Sequence, residues 1–530
     1  MVRHAVRSAF FCALLILTLM PLVVSAQSEN PLPAPTGPYD VGVVWRHWVD
    51  ESRDEPYVHD TDDKREVIVQ FLYPAVVEAG AVPQPYFDNA DLFMPVFTGL
   101  LAPAVNLTMQ TQAGDLSVFQ SHAYPDAPLS DALEQYPVLI FSHGGGADVR
   151  MYTAQIEEMA SHGYVVAAIN HVYGASYTTL LDGRPAIPTY EGGFEPAANH
   201  WSADQIFVMD QLERLNENDP DGVFTGRLDL DRLGVFGQSL GGTTTTITCF
   251  VDPRCKAGAA GDGPVYGGVI EQGLDQPFMY LLSEDRLFSD PAFYGESRGP
   301  HFDVAVEGYE HLDYGDFTLW PNIETVIEAR WLGGVDGQRA VEITRAALVA
   351  FFDTYVKGDP AASMDVLGQY PEVTVSARNV DGMSEAADPS GLTAELAEEF
   401  VGRFDAVINE DTALARELFH EDFEAHLPFA QQMDREGWIA YADMFKASFP
   451  DIVQTTNFMF HQGDKLVIHV TYHATFSGVP FFGAEPNGQP IVMNGIGIFR
   501  YEDGKPIENS AVLDVGELFV QIGLVTPPGP

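Results

Sequence analysis

The chain has 530 residues, 76 of them acidic and 27 basic, for a formal net charge of −49 at pH 7. That length exceeds what one hydrophobic core usually organises, so two folded units are expected. A composition 46% hydrophobic and 19% charged excludes a wholly disordered chain, and the acidic excess, which repels phosphate backbones and anionic membranes, argues against nucleic acid as a partner.

In chain order, Arg3 and Arg7 precede an apolar run from Ala9 to Val24 that ends in Val24-Ser25-Ala26, the pattern of an export signal (residues 1–26) cut after Ala26. The run falls short of the roughly 20 residues a bilayer requires, so removal is expected rather than anchoring. With no later long uncharged apolar stretch, the mature protein is expected to be secreted or periplasmic, with no stable membrane span. Of the three cysteines, Cys12 leaves with the signal, and Cys249 and Cys255 remain in an oxidising compartment where they are expected to pair.

After a Pro-rich lead-in (Pro31 to Pro38), the first strong strand is read at Glu66–Tyr73, halted by Pro74. Pro137–Phe141 and Tyr164–Ile169 are near-continuous apolar runs, as in parallel strands covered on both faces, with a helix over Met151–His162 between them. A helix near Ala203–Leu215, strands at Leu233–Phe236 and Phe278–Leu282, and a helix near Ala340–Tyr355 continue the alternation. Residues 27–378 are therefore expected to form an α/β unit, with a mostly parallel sheet and helices on both faces. Gly, Ser, Asp, Pro and Ala gather over 379–391, as in a linker. A smaller α+β unit is read at 392–526, with a helix at Leu396–Phe404 and strands at Lys465–Phe476 and Pro490–Tyr501.

The chemistry gathers around Gly237-Gln238-Ser239-Leu240-Gly241, a G-x-S-x-G directly after an apolar strand. A serine at a cramped strand-to-helix turn needs glycines on either side for the chain to approach itself, and the turn lifts its hydroxyl into reach. That hydroxyl is a poor nucleophile without an imidazole to take its proton and an acid to fix the imidazole's tautomer. His311, just past an expected strand, fits the base; His301 precedes that strand. Asp262 and Asp285 both stand at strand ends, and the pattern does not separate them. Acyl chemistry also needs two N–H groups aimed at the oxyanion, and these are assigned to Leu240 and to Gly145 within Ser142-His143-Gly144-Gly145-Gly146.

The stretch Gly174–Ser202, with Tyr177, Tyr190, Phe194 and Trp201, is read either as a cap over the site or as a surface loop with its own cluster.

Phe141-Ser-His-Gly-Gly-Gly, Ser161-His-Gly-Tyr-Val-Val-Ala-Ala, Gly237-Gln-Ser-Leu-Gly-Gly, Gly261-Asp-Gly and Glu310-His-Leu-Asp together resemble platelet-activating factor acetylhydrolase and its bacterial relatives, over roughly residues 40 to 378. The resemblance implies an α/β-hydrolase fold and selects Asp262 as the acid. It departs at Gln238 and Leu240, where relatives often carry His and Phe, and at Gly145, where a larger apolar residue is usual. The second unit resembles SnoaL-like polyketide cyclases through Phe476-Ser-Gly, Gly483 to Pro490, Gly495–Arg500, Asp503-Gly-Lys and Asp514, which implies a cone-shaped α+β fold. That resemblance makes His473, Asn494 and Asp514 pocket candidates. The resulting expectation is a serine carboxylic-ester hydrolase acting on a small or lipid-like ester through an acyl-enzyme, with no metal or organic cofactor. The rival is a non-catalytic binding protein on the same scaffold, with a ligand-binding or cyclase-type second unit.

Overall fold

The computed structural model describes residues 30–58, 62–87, 116–189, 193–284, 291–320, 331–380, 392, 394–427, 432–462 and 464–524. The expected signal, Asp285, Tyr190 and most of the expected linker lie outside these residues. The chain divides into two compact units, one within Met1–Ser289 and Arg298–Val375, the other within Asp290–Ser297 and Ser376–Pro530.

The first unit is built on β1 (Asp40–Asp54), β2 (Lys64–Ala75), β3 (Ala123–Pro125), β4 (Tyr136–Ser142), β5 (Val165–His171), the short ladder of β6 (Thr178–Thr179) and β7 (Pro185–Ala186), β8 (Leu228–Gln238), β9 (Ala257–Gly261), β10 (Phe278–Leu282), β11 (His301–Val306) and the start of β12 (Val373–Arg378), a strand in which the division between the units falls. All except β6 and β7 join one sheet in the order β12-β11-β10-β9-β8-β4-β5-β2-β1-β3. From β5 through β4, β8, β9 and β10 to β11 the pairing is parallel, whereas β2 joins both β5 and β1 antiparallel. Every residue of β4 and β5 is buried, which accounts for their unbroken apolar runs.

Helices α1 (Thr153–Ser161), α2 (Phe194–Asn218), α3 (Leu240–Val251) and α4 (Gly337–Phe352) cover the sheet, α1 packing with α4 and α2 with α3. Strand β1 was not anticipated, because Arg46, His47, Asp50 and Arg53 break its apolar pattern; it pairs with β2 along nearly its whole length. Nor does Pro74 halt β2, which runs to Ala75; the Pro74 carbonyl still accepts a hydrogen bond from Ser130 N at 2.9 Å.

The second unit comprises α5 (Ala394–Asn409), β13 (Glu424–His426), β14 (Met433–Asp434), α6 (Arg435–Ser448), β15 (Val453–Gln462), β16 (Lys465–Thr475), β17 (Pro490–Glu502), β18 (Lys505–Leu513) and α7 (Val515–Gln521). Its sheet runs β14-β13-β18-β17-β16-β15. Strict alternation along β17 buries Ile491, Met493, Gly495, Gly497, Phe499 and Tyr501. Phe404, Trp438, Ile468 and Phe499 belong to the core that forms on that face. The expected α/β and α+β classes are what the two units have.

Candidate active site

Ser239 is the single residue between β8 and α3, and it makes the reversal with φ 55° and ψ −120°. For a residue with a side chain, that backbone costs on the order of 1–3 kcal/mol and persists only where the surroundings impose it. They do so through close packing: a Cβ at Gly237 would lie 2.5 Å from the Gly241 carbonyl, and one at Gly241 would lie 2.0 Å from Ser142 O. Ser239 N donates to Gly261 O at 2.7 Å, pinning the turn to the end of β9. The Thr-rich helix that follows is buried, so the hydroxyls of Thr244, Thr245 and Thr246 donate to carbonyls one turn back, at 2.8, 2.9 and 3.1 Å.

The topology places Ser239 and Asp262 directly after the C-terminal ends of the adjacent strands β8 and β9, and the loop after β11 brings His311 back to them. His311 Nε2 lies 2.9 Å from Ser239 Oγ, and its Nδ1 lies 2.7 Å from Asp262 Oδ2. A carboxylate only accepts, so Nδ1 carries the proton and Nε2 is free to accept from the serine hydroxyl. Asp262 is buried, with φ 43°, and its other oxygen accepts from Ser283 Oγ at 2.8 Å and Ser283 N at 3.3 Å. Trp331 stands edge-on to His311, with ring centroids 5.7 Å apart. His301, the rival imidazole, is buried as the first residue of β11, with Nε2 3.5 Å from Asp303 Oδ1. Nothing in the sequence marked Ser283.

The glycine loop after β4 lies against the serine, since a Cβ on Gly144 would come within 3.4 Å of Ser239 Cβ. Its amides are mostly engaged: Gly144 N donates to Tyr152 Oη at 3.1 Å, Gly146 N to Gly174 O at 2.9 Å and Ala147 N to Gly144 O at 3.0 Å. Among the described residues the N–H of the exposed Gly145 has no partner, nor has that of Leu240 at the first position of α3, where no intrahelical acceptor exists.

Behind this loop is a buried polar array that sequence reasoning missed. His171 Nε2 lies 2.9 Å from Ser142 Oγ and its Nδ1 2.9 Å from Asp204 Oδ2; Gln205 donates to the same serine oxygen at 2.8 Å. Asp204 also accepts from Arg65 at 3.0 and 2.6 Å and from Arg53 at 2.8 Å. Burial pushes His171 down to about 4, so it stays neutral; burial also acts to raise Asp204, but the Arg65 guanidinium and the His171 hydrogen bond together outweigh it and hold that carboxyl well below the usual range. Trp201 stacks on His171 with ring centroids 4.0 Å apart. Trp201 is thus a core residue of α2, which starts at Phe194, earlier than the pattern suggested, and takes the end of the aromatic stretch out of any cap.

Cys249 and Cys255 are joined in a disulfide across the end of α3, with Cα atoms 5.0 Å apart. In the second unit, an apolar cavity is lined by Phe404, Trp438, Phe445, Met493 and Phe499, with Tyr472 and Asn509 among its polar members. His473, Asn494 and Asp514 are exposed and do not line it, contrary to the expectation from the resemblance. The cause is the period of two in β17: Met493 and Gly495 face the cavity, and Asn494 turns to the other side, where it accepts from Thr471 Oγ1 at 2.9 Å.

The sheet order, the serine on its strand-to-helix reversal and the histidine returning over it define the class as an α/β-hydrolase fold, here followed by a SnoaL-like α+β unit. Residues 24–190 match the family model for platelet-activating factor acetylhydrolase, isoform II, and residues 398–522 that for SnoaL-like polyketide cyclase, so both expected resemblances hold. A platelet-activating factor acetylhydrolase from Cavia porcellus is 26% identical over 263 residues, covering 42% of this chain and 58% of that protein. A probable 1-alkyl-2-acetylglycerophosphocholine esterase from Arthroderma benhamiae is 22% identical over 300 residues, covering 52% of this chain and 70% of its own. The ferulic acid esterase of Streptomyces cinnamoneus shares the fold, with a TM-score of 0.53 at 24% identity over 65% of this chain and 98% of that one. Among the described residues, no helix is long and apolar enough to cross a membrane.

Proposed function

We propose that the chain is an exported serine carboxylic-ester hydrolase that works through an acyl-enzyme. The observation that carries this reading is the hydrogen-bonded series Ser239 Oγ, His311 and Asp262, with separations of 2.9 and 2.7 Å. In this reaction Ser239 Oγ attacks the ester carbonyl while His311 Nε2 takes its proton, and Asp262 holds His311 in the tautomer able to do so. The tetrahedral oxyanion is held by the Gly145 and Leu240 amides, each such donor being worth about 3–4 kcal/mol in rate. His311 then protonates the departing alcohol, and water repeats the sequence to release the acid.

The names of the curated relatives favour a short acyl group on a phospholipid-like alcohol. The second unit we assign to binding, because no His, Asp or Glu lines its apolar cavity among the described residues, and Lys446 at its rim is already bonded to the carbonyls of Ile408 and Glu410. Turnover of chromogenic short-chain esters by the full chain, lost in a folded Ser239→Ala variant, is the expected result. Equal turnover in the two proteins overturns Ser239 as the nucleophile, and no turnover in either favours a binding protein on a hydrolase scaffold.

A further inference from the structure

Gln238, the residue just before Ser239, is buried, and its amide is committed at both ends. Its Nε2 donates to the backbone carbonyl of His311 at 2.9 Å, and its Oε1 accepts from the Tyr152 hydroxyl at 2.8 Å. The direction of this chain is forced. A carbonyl only accepts, so the amide nitrogen must face His311, the amide oxygen must face Tyr152, and Tyr152 must donate its one proton there. The Tyr152 oxygen then accepts from Gly144 N at 3.1 Å. One unbroken series of hydrogen bonds thus runs from the loop that carries Gly145, through Tyr152 and Gln238, to the loop that carries His311.

The series is tightly packed against Gly144. A Cβ at Gly144 would lie 2.5 Å from Gln238 Oε1 and 3.1 Å from Tyr152 Oη, so glycine is required there to let the relay pass. Tyr152 is also buried, which raises its pKa and keeps it protonated as the donor the geometry demands. The loop after β11 is otherwise held near His311 by Leu312 N donating to Trp331 O at 2.8 Å and Glu310 N to Asp313 Oδ2 at 2.8 Å. The His311–Leu312 peptide is thus held from both sides, and of these three tethers that from Gln238 leads back to the glycine loop.

We propose that Gln238 and Tyr152 are positioning residues that lock the proton-accepting histidine and the oxyanion loop into one register, so that base and oxyanion donors are aligned together. The proposal rests on the esterase reading above. Both residues act through the His311 peptide and the Gly144 amide, so losing either lowers kcat and leaves KM near its original value. The titratable groups around position 238 are Tyr152 from the turn before α1, His311 and Tyr314 from the loop after β11, and Asp262, which reaches it through His311.

Gln238→Glu tests this directly. An ionised glutamate has no hydrogen to offer the His311 carbonyl, whereas a protonated one donates there and still accepts from Tyr152. The expected result with a short-chain chromogenic ester is a kcat at least tenfold below wild type at pH 8. The ratio of variant to wild type then rises as pH is lowered toward 5, with KM constant. Gln238→Met and Tyr152→Phe are expected to lower kcat by a similar factor at every pH, and combining them to cost little more than either alone. A flat ratio for Gln238→Glu, or wild-type kcat in folded Gln238→Met, overturns the proposal. Following the Gln238→Glu to wild-type ratio across pH keeps the test valid even if Gln238→Met does not fold. Ser239→Ala, assayed alongside, separates the two levels: turnover surviving there removes the esterase reading and this inference with it, whereas turnover lost there with Gln238→Met unaffected removes this inference alone.

Discussion

Replacing Asp262 by asparagine isolates the electrostatic part of the proposed triad from its shape, and the neighbourhood of that carboxyl dictates the outcome. Ser283 offers its hydroxyl and its N–H to Asp262 Oδ1, at 2.8 and 3.3 Å. In Asp262→Asn these donors keep the amide oxygen on the Ser283 side, which turns the NH2 group toward His311 Nδ1. His311 then accepts at Nδ1, carries its proton on Nε2, and presents a hydrogen to Ser239 where it should present a lone pair. A base held in the wrong tautomer lowers kcat about 10⁴-fold, roughly 5 kcal/mol of transition-state stabilisation, with little change in KM. The measurement is steady-state hydrolysis of a chromogenic short-chain ester, with circular dichroism to confirm the fold. In Asp262→Asn/Ser283→Ala the stronger donor is gone, the amide is free to turn its oxygen toward His311, and turnover is expected to recover at least tenfold. Loss of less than tenfold in the single variant refutes Asp262 as the orienting acid. A double variant no faster than the single refutes the account of the amide's orientation.

Removing Asp204 leaves the buried Arg65 guanidinium with Glu55, 3.0 Å away, as its remaining carboxylate among the described residues, so Asp204→Ala is expected to destabilise the first unit by about 3–5 kcal/mol in denaturant titration; Arg53→Gln, at a partly exposed partner of the same carboxylate, costs about 1 kcal/mol or less. The Asp316 carboxyl, buried against Ala154 N and Tyr86 Oη, is pushed up to about 7 by burial, with Arg345 opposing and Glu157 reinforcing the shift. The folded protein therefore keeps a proton that the unfolded chain has lost, and stability falls as pH rises from about 4 to 7, by up to about 4 kcal/mol. Asp316→Asn, measured by thermal melts across that range, is expected to flatten this part of the profile. Reducing the Cys249–Cys255 bond, which closes a short loop, is expected to cost about 2 kcal/mol, read as a lower denaturation midpoint with reductant than without.

The strands buried on both faces were legible because burial demands unbroken apolar runs, as in Val138–Phe141 of β4. Strand β1 escaped notice because its outer half faces partners such as Glu66 and Asp219, so charged residues sit where a central strand would place Val and Ile. Ser239 was legible because a cramped reversal admits few residue types around it. By contrast, Ser283, Tyr152 and His171 act through contacts with residues far away in the chain, and local spacing holds no trace of them. The second-unit candidates failed for a narrower reason. The resemblance points to Asn494, but Asn494 follows the cavity-facing Met493 by one position along β17, and a shift of one position along a strand reverses the face.

The buried array behind the glycine loop repeats the reactive arrangement atom for atom: Ser142, His171 and Asp204 with separations of 2.9 and 2.9 Å, at side chains closed off from solvent. Interatomic distance alone therefore picks out two triplets among the described residues. What separates reagent from mortar is the path by which an electrophile arrives. Ser239 stands on a strained reversal at the mouth of the sheet, whereas Ser142 ends an ordinary extended strand within the packed interior, so an organophosphorus probe should mark this molecule a single time.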